Sequence, residues 1–164
     1  MAVILIVCTA NICRSPVVRA LLEDRLAAYG LEDWTVKSAG TWAYEGQKAA
    51  DFSVLIMAEQ GLDINNHQSQ PINKELMAEA DLILTLEIGH SEALAAEFPD
   101  DAFKVHPLTE MAGEIYSVED PFGGTREDYE RMVVEVTRLV EDGLAKIVEL
   151  ATHNAENRTK AVNI

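Results

Sequence analysis

The chain has 164 residues, 48% of them hydrophobic and 25% charged, a size and balance that suit one globular domain with one sizeable core. Its 28 acidic residues against 13 basic ones leave a net charge of −15, which excludes nucleic acid and anionic membrane as partners, since both need a basic surface. No apolar run approaches the roughly 20 residues that span a bilayer. The two cysteines, Cys8 and Cys13, form neither a disulfide framework nor, with the scattered histidines, a zinc site, so no metal or other cofactor is expected.

The N-terminal MAVILIV lacks a basic leader and is too short for a secretory segment, so it reads as a buried strand (3–7) in a cytoplasmic protein. From Val17, apolar residues recur at Val18, Leu21, Leu22, Leu26 and Tyr29 with helical spacing, and Gly30 stands where a C-terminal cap belongs. WTVKSAG (34–40) alternates as a strand. Residues 48–60 and 73–80 read as helices. DLILTLE (81–87) is continuously apolar, like a parallel strand covered on both faces. SEALAAEF (91–98) reads as a helix and FKVH (103–106) as a short strand. The last helix carries a stripe through Tyr129, Met132, Val133, Val136, Leu139, Val140, Leu144, Ile147 and Val148, with Thr125 and Asp128 at capping-box spacing. Gly143 within it reads as a cost of about 1 kcal/mol relative to alanine, which the stripe offsets. The domain is expected over 1–150, with 151–164 a polar, frayed tail. Strands alternating with helices imply an α/β fold with a parallel sheet, right-handed crossovers and helices on both faces. Ligands in such folds bind beyond the C-terminal ends of the strands, where Cys8 lies.

Residues 8–15 connect the first strand to the first helix. Their N–H groups can converge, and the helix N-terminus adds unpaired donors and positive dipole, so the loop is a phosphate cradle. Arg14 can grip two phosphate oxygens at once. Asn11 tolerates positive φ, and Pro16 suits a first helical turn. Such surroundings favour the thiolate of Cys8, and Ser15 can donate a hydrogen bond to its sulfur. A thiolate under a bound phosphate is placed for in-line attack. Cys13 on its own reads as an ordinary buried cysteine.

VCTANICRSP (7–16) resembles the phosphate-binding loop of the low-molecular-weight protein tyrosine phosphatases. SAGT (38–41), HQSQPINKELMAEADLILTL (67–86) and DPFGG (120–124) resemble further segments of that family in the same order, over residues 3 to 150. The resemblance implies a flavodoxin-like three-layer sandwich with a four-stranded parallel sheet. It implies a phosphocysteine on Cys8, phosphoryl binding and charge stabilisation by Arg14, and general acid and base work by Asp120 rather than its neighbour Glu119. Thr9, Ala10, Asn11, Ile12, Cys13, Arg14 and Ser15 would form the phosphate loop, with Asn11, Ser15, Ser38 and His67 holding its shape. Cys13 would form a reversible disulfide with Cys8. Ala10 replaces a common glycine and is strained only if that position needs positive φ.

Substrate preference rests on Ile12, Trp42, Tyr44 and Phe122. Isoleucine at the Ile12 position resembles tyrosine-specific members, while threonine there is associated with protein-arginine phosphatases. A branched apolar side chain leaves a guanidinium without a polar partner. Trp42 and Tyr44 are candidates for an aromatic wall, Tyr44 being the better match, and DPFGG fits the arginine phosphatases as well. The expected activity is hydrolysis of phosphotyrosine in proteins, with phosphate or sulfate as an active-site ligand and a monomer or weak dimer as the working form. The alternatives are a protein-arginine phosphatase, an arsenate reductase (which needs redox cysteines beyond Cys13), a phosphocarrier and a non-catalytic phosphate-binding module. His90, His106 and His153 carry no motif.

Overall fold

The computed structural model describes residues 1–163. Four parallel strands form one sheet: β1 (Val3–Cys8), β2 (Thr35–Gly40), β3 (Leu82–Thr85) and β4 (Val105–Pro107), in the order β2-β1-β3-β4. The helices are α1 (Ser15–Ala28), α2 (Asp51–Glu59), α3 (Lys74–Glu79), α4 (Ile88–Glu97), α5 (Leu108–Met111) and α6 (Arg126–Val162). A 3₁₀ turn over Pro99–Lys104 takes part of the segment expected as the fourth strand. Among the described residues no helix is long and apolar enough to cross a membrane.

The unbroken apolar run of β1 has a geometric cause. Side chains alternate across a strand, so Ile4, Ile6 and Cys8 join the larger core with α1, α2 and α6, while Leu5 and Val7 join a smaller one with Met77 of α3 and Leu94 of α4. Both faces are dry, and a central strand then has no position for a polar residue. β1 pairs with β2 on one side, ending at Cys8 opposite Gly40, and with β3 on the other. The order reverses between β1 and β3, which is where ligands lodge in open α/β sheets. Cys8 stands at that point.

Local signals act as the residue types require. Gly30 has φ +87° directly after α1, a conformation open to glycine at no steric cost. Thr125 and Asp128 close a reciprocal capping box at the start of α6.

Two expectations need correction. The last helix does not fray after Ala151 but continues to Val162, so the 150 boundary falls inside an element; only Ile164 of the expected tail lies outside the described residues. Ala151 and Ala155 extend the buried stripe with side chains too small to stand out in a hydrophobic pattern. Arg158 then donates from Nε and Nη2 to the two carboxylate oxygens of Asp81 (2.7 and 3.0 Å), and Asn154 donates to the Asp81 carbonyl. Asp81 is 2% exposed and also accepts from the Val3 N–H, so this contact pairs a carboxylate that would otherwise be buried without a cation.

Gly143 is the second correction. A Cβ built there would lie 2.7 Å from the Met111 Cβ and 3.1 Å from the Met111 carbonyl carbon. The glycine lets α5 approach α6, so its absent side chain is a packing requirement. Gly143→Ala should therefore lower stability by about 1–2 kcal/mol, the overpacking cost exceeding the gain in helix propensity. Urea unfolding measures this, and a more stable variant would show that the contact is not tight.

Candidate active site

The loop after β1 is shaped by what holds its carbonyls. The Cys8 and Thr9 carbonyls accept from the N–H groups of Thr41 and Trp42, both at 2.9 Å, and that of Ile12 from the Ala50 N–H at 2.8 Å. His67 Nε2 donates to the Asn11 carbonyl at 2.6 Å, and the Ser53 hydroxyl to the Cys13 carbonyl at 3.0 Å. From Thr9 to Ser15 no backbone N–H donates to a protein acceptor among the described residues. The loop thus turns its acceptors outward and keeps its donors free. Helix α1 adds to this, since it starts at Ser15 with Pro16 behind it and no side-chain cap.

Asn11 makes the turn. Its φ of +58° is the only positive value at a non-glycine among the described residues. Ala10 is outside that region and carries no strain. Gly40 gives the loop its space: a Cβ there would lie 2.3 Å from the Thr9 carbonyl oxygen and 3.1 Å from the Asn11 nitrogen. This glycine, inside the SAGT segment, is a site residue that sequence reasoning passed over.

The Asn11 amide is oriented by its partners. Its Oδ1 accepts from the Gln70 N–H at 3.0 Å, so the other end is Nδ2, which donates to the Ser15 oxygen at 2.7 Å. With its oxygen so occupied, the Ser15 hydroxyl proton is free for the Cys8 sulfur, 3.0 Å away. Ser38 departs from expectation. Its hydroxyl makes no hydrogen bond to the loop; its carbonyl accepts from Gln70 Nε2, and Gln70 makes the contact to Asn11. His67 does hold the loop, and its pKa is lowered by burial, against the pull of the Asn11 hydrogen bond.

Arg14 is 1% exposed. Nη1 donates to the Val118 carbonyl at 2.7 Å, and Nη2 faces the carboxylates of Glu87 at 2.8 Å and Asp120 at 3.4 Å. Its Nε is buried and takes no partner among the described residues. A guanidinium so held has a direction, and a spare buried donor calls for an acceptor. Thr9 Oγ1 accepts from Arg14 Nη2 at 3.4 Å and lies 2.9 Å from His90 Nε2, which is in turn 3.3 Å from Glu87. Burial lowers the His90 pKa, with Glu87 acting in the opposite sense. Neither Glu87 nor His90 was picked out from the sequence. The available signal was the place of Glu87, just past the C-terminal end of the strand that neighbours β1.

Asp120, Pro121, Phe122, Gly123 and Gly124 form a turn in which the Asp120 Oδ1 accepts from the Phe122 N–H at 3.1 Å and Gly123 takes φ +78°. The turn steers the carboxylate towards the loop. A cleft is lined by Cys8, Ala10, Cys13, Arg14, Asp120 and Phe122. Glu119 instead faces an adjoining hollow against α6. Phe122 therefore flanks the cleft, while Trp42 and Tyr44 are exposed side chains outside its lining and Ile12 is half-buried against the main core. The Cys13 thiol lies 3.4 Å from the Tyr129 hydroxyl. Burial pushes its pKa up to about 11, with Tyr129 opposing and Asp120 and Cys8 adding to the rise.

A nucleophile beneath free N–H groups, an arginine with a spare donor and a carboxylate at the mouth make a site for phosphoryl transfer. The comparisons agree. Residues 3–156 match the family described as low molecular weight phosphotyrosine protein phosphatase. The chain is 37% identical, over 84% of its length and 91% of the relative's, to a protein-arginine-phosphatase of Bacillus subtilis. A low molecular weight protein tyrosine phosphatase from T. tengcongensis superposes with a TM-score of 0.84 at 33% identity, covering 89% of this chain and 99% of that one. A cysteine-to-serine mutant of the YwlE arginine phosphatase, with a phosphorylated active-site serine, superposes with a TM-score of 0.84 at 35% identity over 90% of this chain and 95% of that one. The chain belongs to the low molecular weight phosphotyrosine protein phosphatase family.

Proposed function

We propose that this protein hydrolyses phosphotyrosine in proteins in two steps that share one loop. In the first, the Cys8 thiolate attacks phosphorus; the S–P bond forms as the P–O bond to the tyrosine breaks, and Asp120 delivers a proton to the leaving phenolic oxygen. In the second, Asp120 takes a proton from water as that water attacks the phosphocysteine, releasing inorganic phosphate and the Cys8 thiolate. The free N–H groups of Thr9–Ser15 and the Arg14 guanidinium stabilise the equatorial oxygens in both transition states. The Ser15 hydroxyl, 3.0 Å from the Cys8 sulfur, stabilises the thiolate as nucleophile and again as leaving group. Glu87 and Thr9 fix the guanidinium plane, and His67 and Asn11 keep the loop from collapsing.

The observation that carries this reading is the division of the loop that follows Cys8, its carbonyls bonded outward and its N–H groups unpaired among the described residues. Phe122, in the lining of the cleft, offers a phenyl ring an edge to pack on, whereas Ile12 lies outside that lining, half-buried against the main core. A second reading, hydrolysis of phosphoarginine, draws on the protein-arginine-phosphatase of Bacillus subtilis and on the Asp120 carboxylate, which could accept from a guanidinium. The Asp120 acid and base role disfavours a phosphocarrier, whose phosphocysteine must resist water. We also propose a cytoplasmic monomer or weak dimer, in keeping with two unpaired cysteines.

Kinetics on matched phosphotyrosine and phosphoarginine peptides test the substrate. The phosphotyrosine kcat/KM should lead by at least about tenfold, the worth of one apolar packing contact; the reverse ranking would install the second reading. Cys8→Ser should cost about 10⁴-fold or more and Asp120→Ala about 10²- to 10³-fold. An active Cys8→Ala, which has no nucleophile at that position, would refute the covalent route.

Cys13 adds a redox reading of the same site. Peroxide oxidises the Cys8 thiolate to a sulfenic acid, and the Cys13 thiol condenses with it, expelling water and leaving a disulfide that dithiothreitol reduces. With its pKa near 11, Cys13 stays protonated at neutral pH and does not compete as nucleophile. After a peroxide pulse and dithiothreitol, wild type should regain several-fold more activity than Cys13→Ser. Equal recovery would remove the protective role.

A further inference from the structure

The unpartnered Nε of Arg14 has a counterpart. Arg19, in α1 and five residues further along the chain, also has a buried Nε with no acceptor among the described residues. Arg19 lines a cavity of about 290 Å³ together with Lys37 and Ser38 of β2 and His67, Gln68 and Gln70 of the segment between α2 and α3. Among the described residues no carboxylate lines it. In a chain with 28 acidic and 13 basic side chains, two cations share one cavity lining that holds no acid among the described residues.

Each cation does have an acidic partner outside the lining. Arg19 Nη1 lies 3.3 Å from Glu23 and Lys37 Nζ 2.7 Å from Glu79. Both glutamates are more than 40% exposed, and exposed pairs are worth little, so an anion that meets several donors at once can displace them. The donors are of mixed type: a guanidinium fork with a spare Nε–H, an ammonium, the Ser38 hydroxyl and side-chain amides. That set surrounds a tetrahedral oxoanion better than a single carboxylate plane. The cavity backs onto the phosphate loop, because His67 in its wall donates to the Asn11 carbonyl and Gln70 to the Asn11 side chain.

We propose that this cavity is a second anion site, distinct from the cleft above Cys8, and that it takes phosphate, either free or as a phosphomonoester. The anion would bridge the Arg19 guanidinium and Lys37 and use the Ser38 hydroxyl.

Amide-resolved NMR separates the two sites. The full chain is titrated with inorganic phosphate, and in a parallel arm with phosphoserine, at ionic strength held constant with sodium chloride. Two groups of resonances should move with different dissociation constants: those of residues 9–15, and those of Lys37, Ser38 and 67–70. In Arg19→Gln/Lys37→Gln the second group should bind at least tenfold more weakly while the first is unchanged; the two single variants give the intermediate case. Movement in both arms marks a phosphomonoester site, and movement with phosphate alone marks a site for the free anion. The proposal is overturned if only residues 9–15 respond, if both groups share one constant, or if the double variant leaves the second group unaffected. Failure of the first group alone would count against the catalytic reading and not against this one.

Discussion

Everything in this molecule that bears on chemistry depends on how one short loop disposes of its backbone. Residues 9–15 have carbonyls and N–H groups that would ordinarily bond to each other in a turn or helix. Here the carbonyls of Thr9, Asn11, Ile12 and Cys13 are taken by outside donors, from Trp42, His67, Ala50 and Ser53. The N–H groups are left as a set. Free buried donors are costly unless an anion is to be bound, and an acidic chain gathers positive potential most compactly by that route. This resolves the apparent conflict between a net charge of −15 and an anionic substrate: surface charge is screened within about 8 Å, whereas the cradle and Arg14 act at contact.

The rest of the fold supplies those outside donors in register. β1 lies centrally, so the loop can be gripped from β2 on one side and from the β3 end on the other. The segment after β2 provides Thr41 and Trp42, the start of α2 provides Ala50 and Ser53, and the chain between α2 and α3 provides His67 and Gln70. Arg14 is treated in the same way. Val118, Glu87 and Thr9 hold its Nη atoms, and Asp120 approaches from the turn that precedes α6. The long helix begins after that turn with its Thr125–Asp128 capping box and packs on the larger core, so the acid and the nucleophile sit on separate elements.

Features that depend on neighbours in sequence were legible beforehand. The continuous apolar run of β1, the αL tolerance of Asn11, the proline in the first turn of α1 and the Thr125–Asp128 spacing each act within a few residues. The resemblance of VCTANICRSP placed the loop and the fold together. What sequence reasoning missed depends on contacts across the chain. Glu87 and His90 matter because β3 lies beside β1, which no local pattern reports. Ser38 was expected to bond the loop through its hydroxyl, but Gln70 intervenes. Gly40 and Gly143 are explained by Thr9 and Met111, 31 and 32 residues away along the chain. Ala151 and Ala155 hide a buried stripe because alanine looks the same whether it is packed or exposed.

Gly40 offers the most direct test, since it shapes the loop without carrying a chemical group. A methyl group there would push on the Thr9 carbonyl from 2.3 Å and tilt the N–H array. Vanadate affinity of Gly40→Ala, measured beside its unfolding midpoint, is the decisive quantity. The account predicts a loss of about 100-fold or more in a protein that still unfolds cooperatively, about 2.7 kcal/mol of lost donor alignment. A folded Gly40→Ala that binds vanadate as tightly as wild type would contradict it.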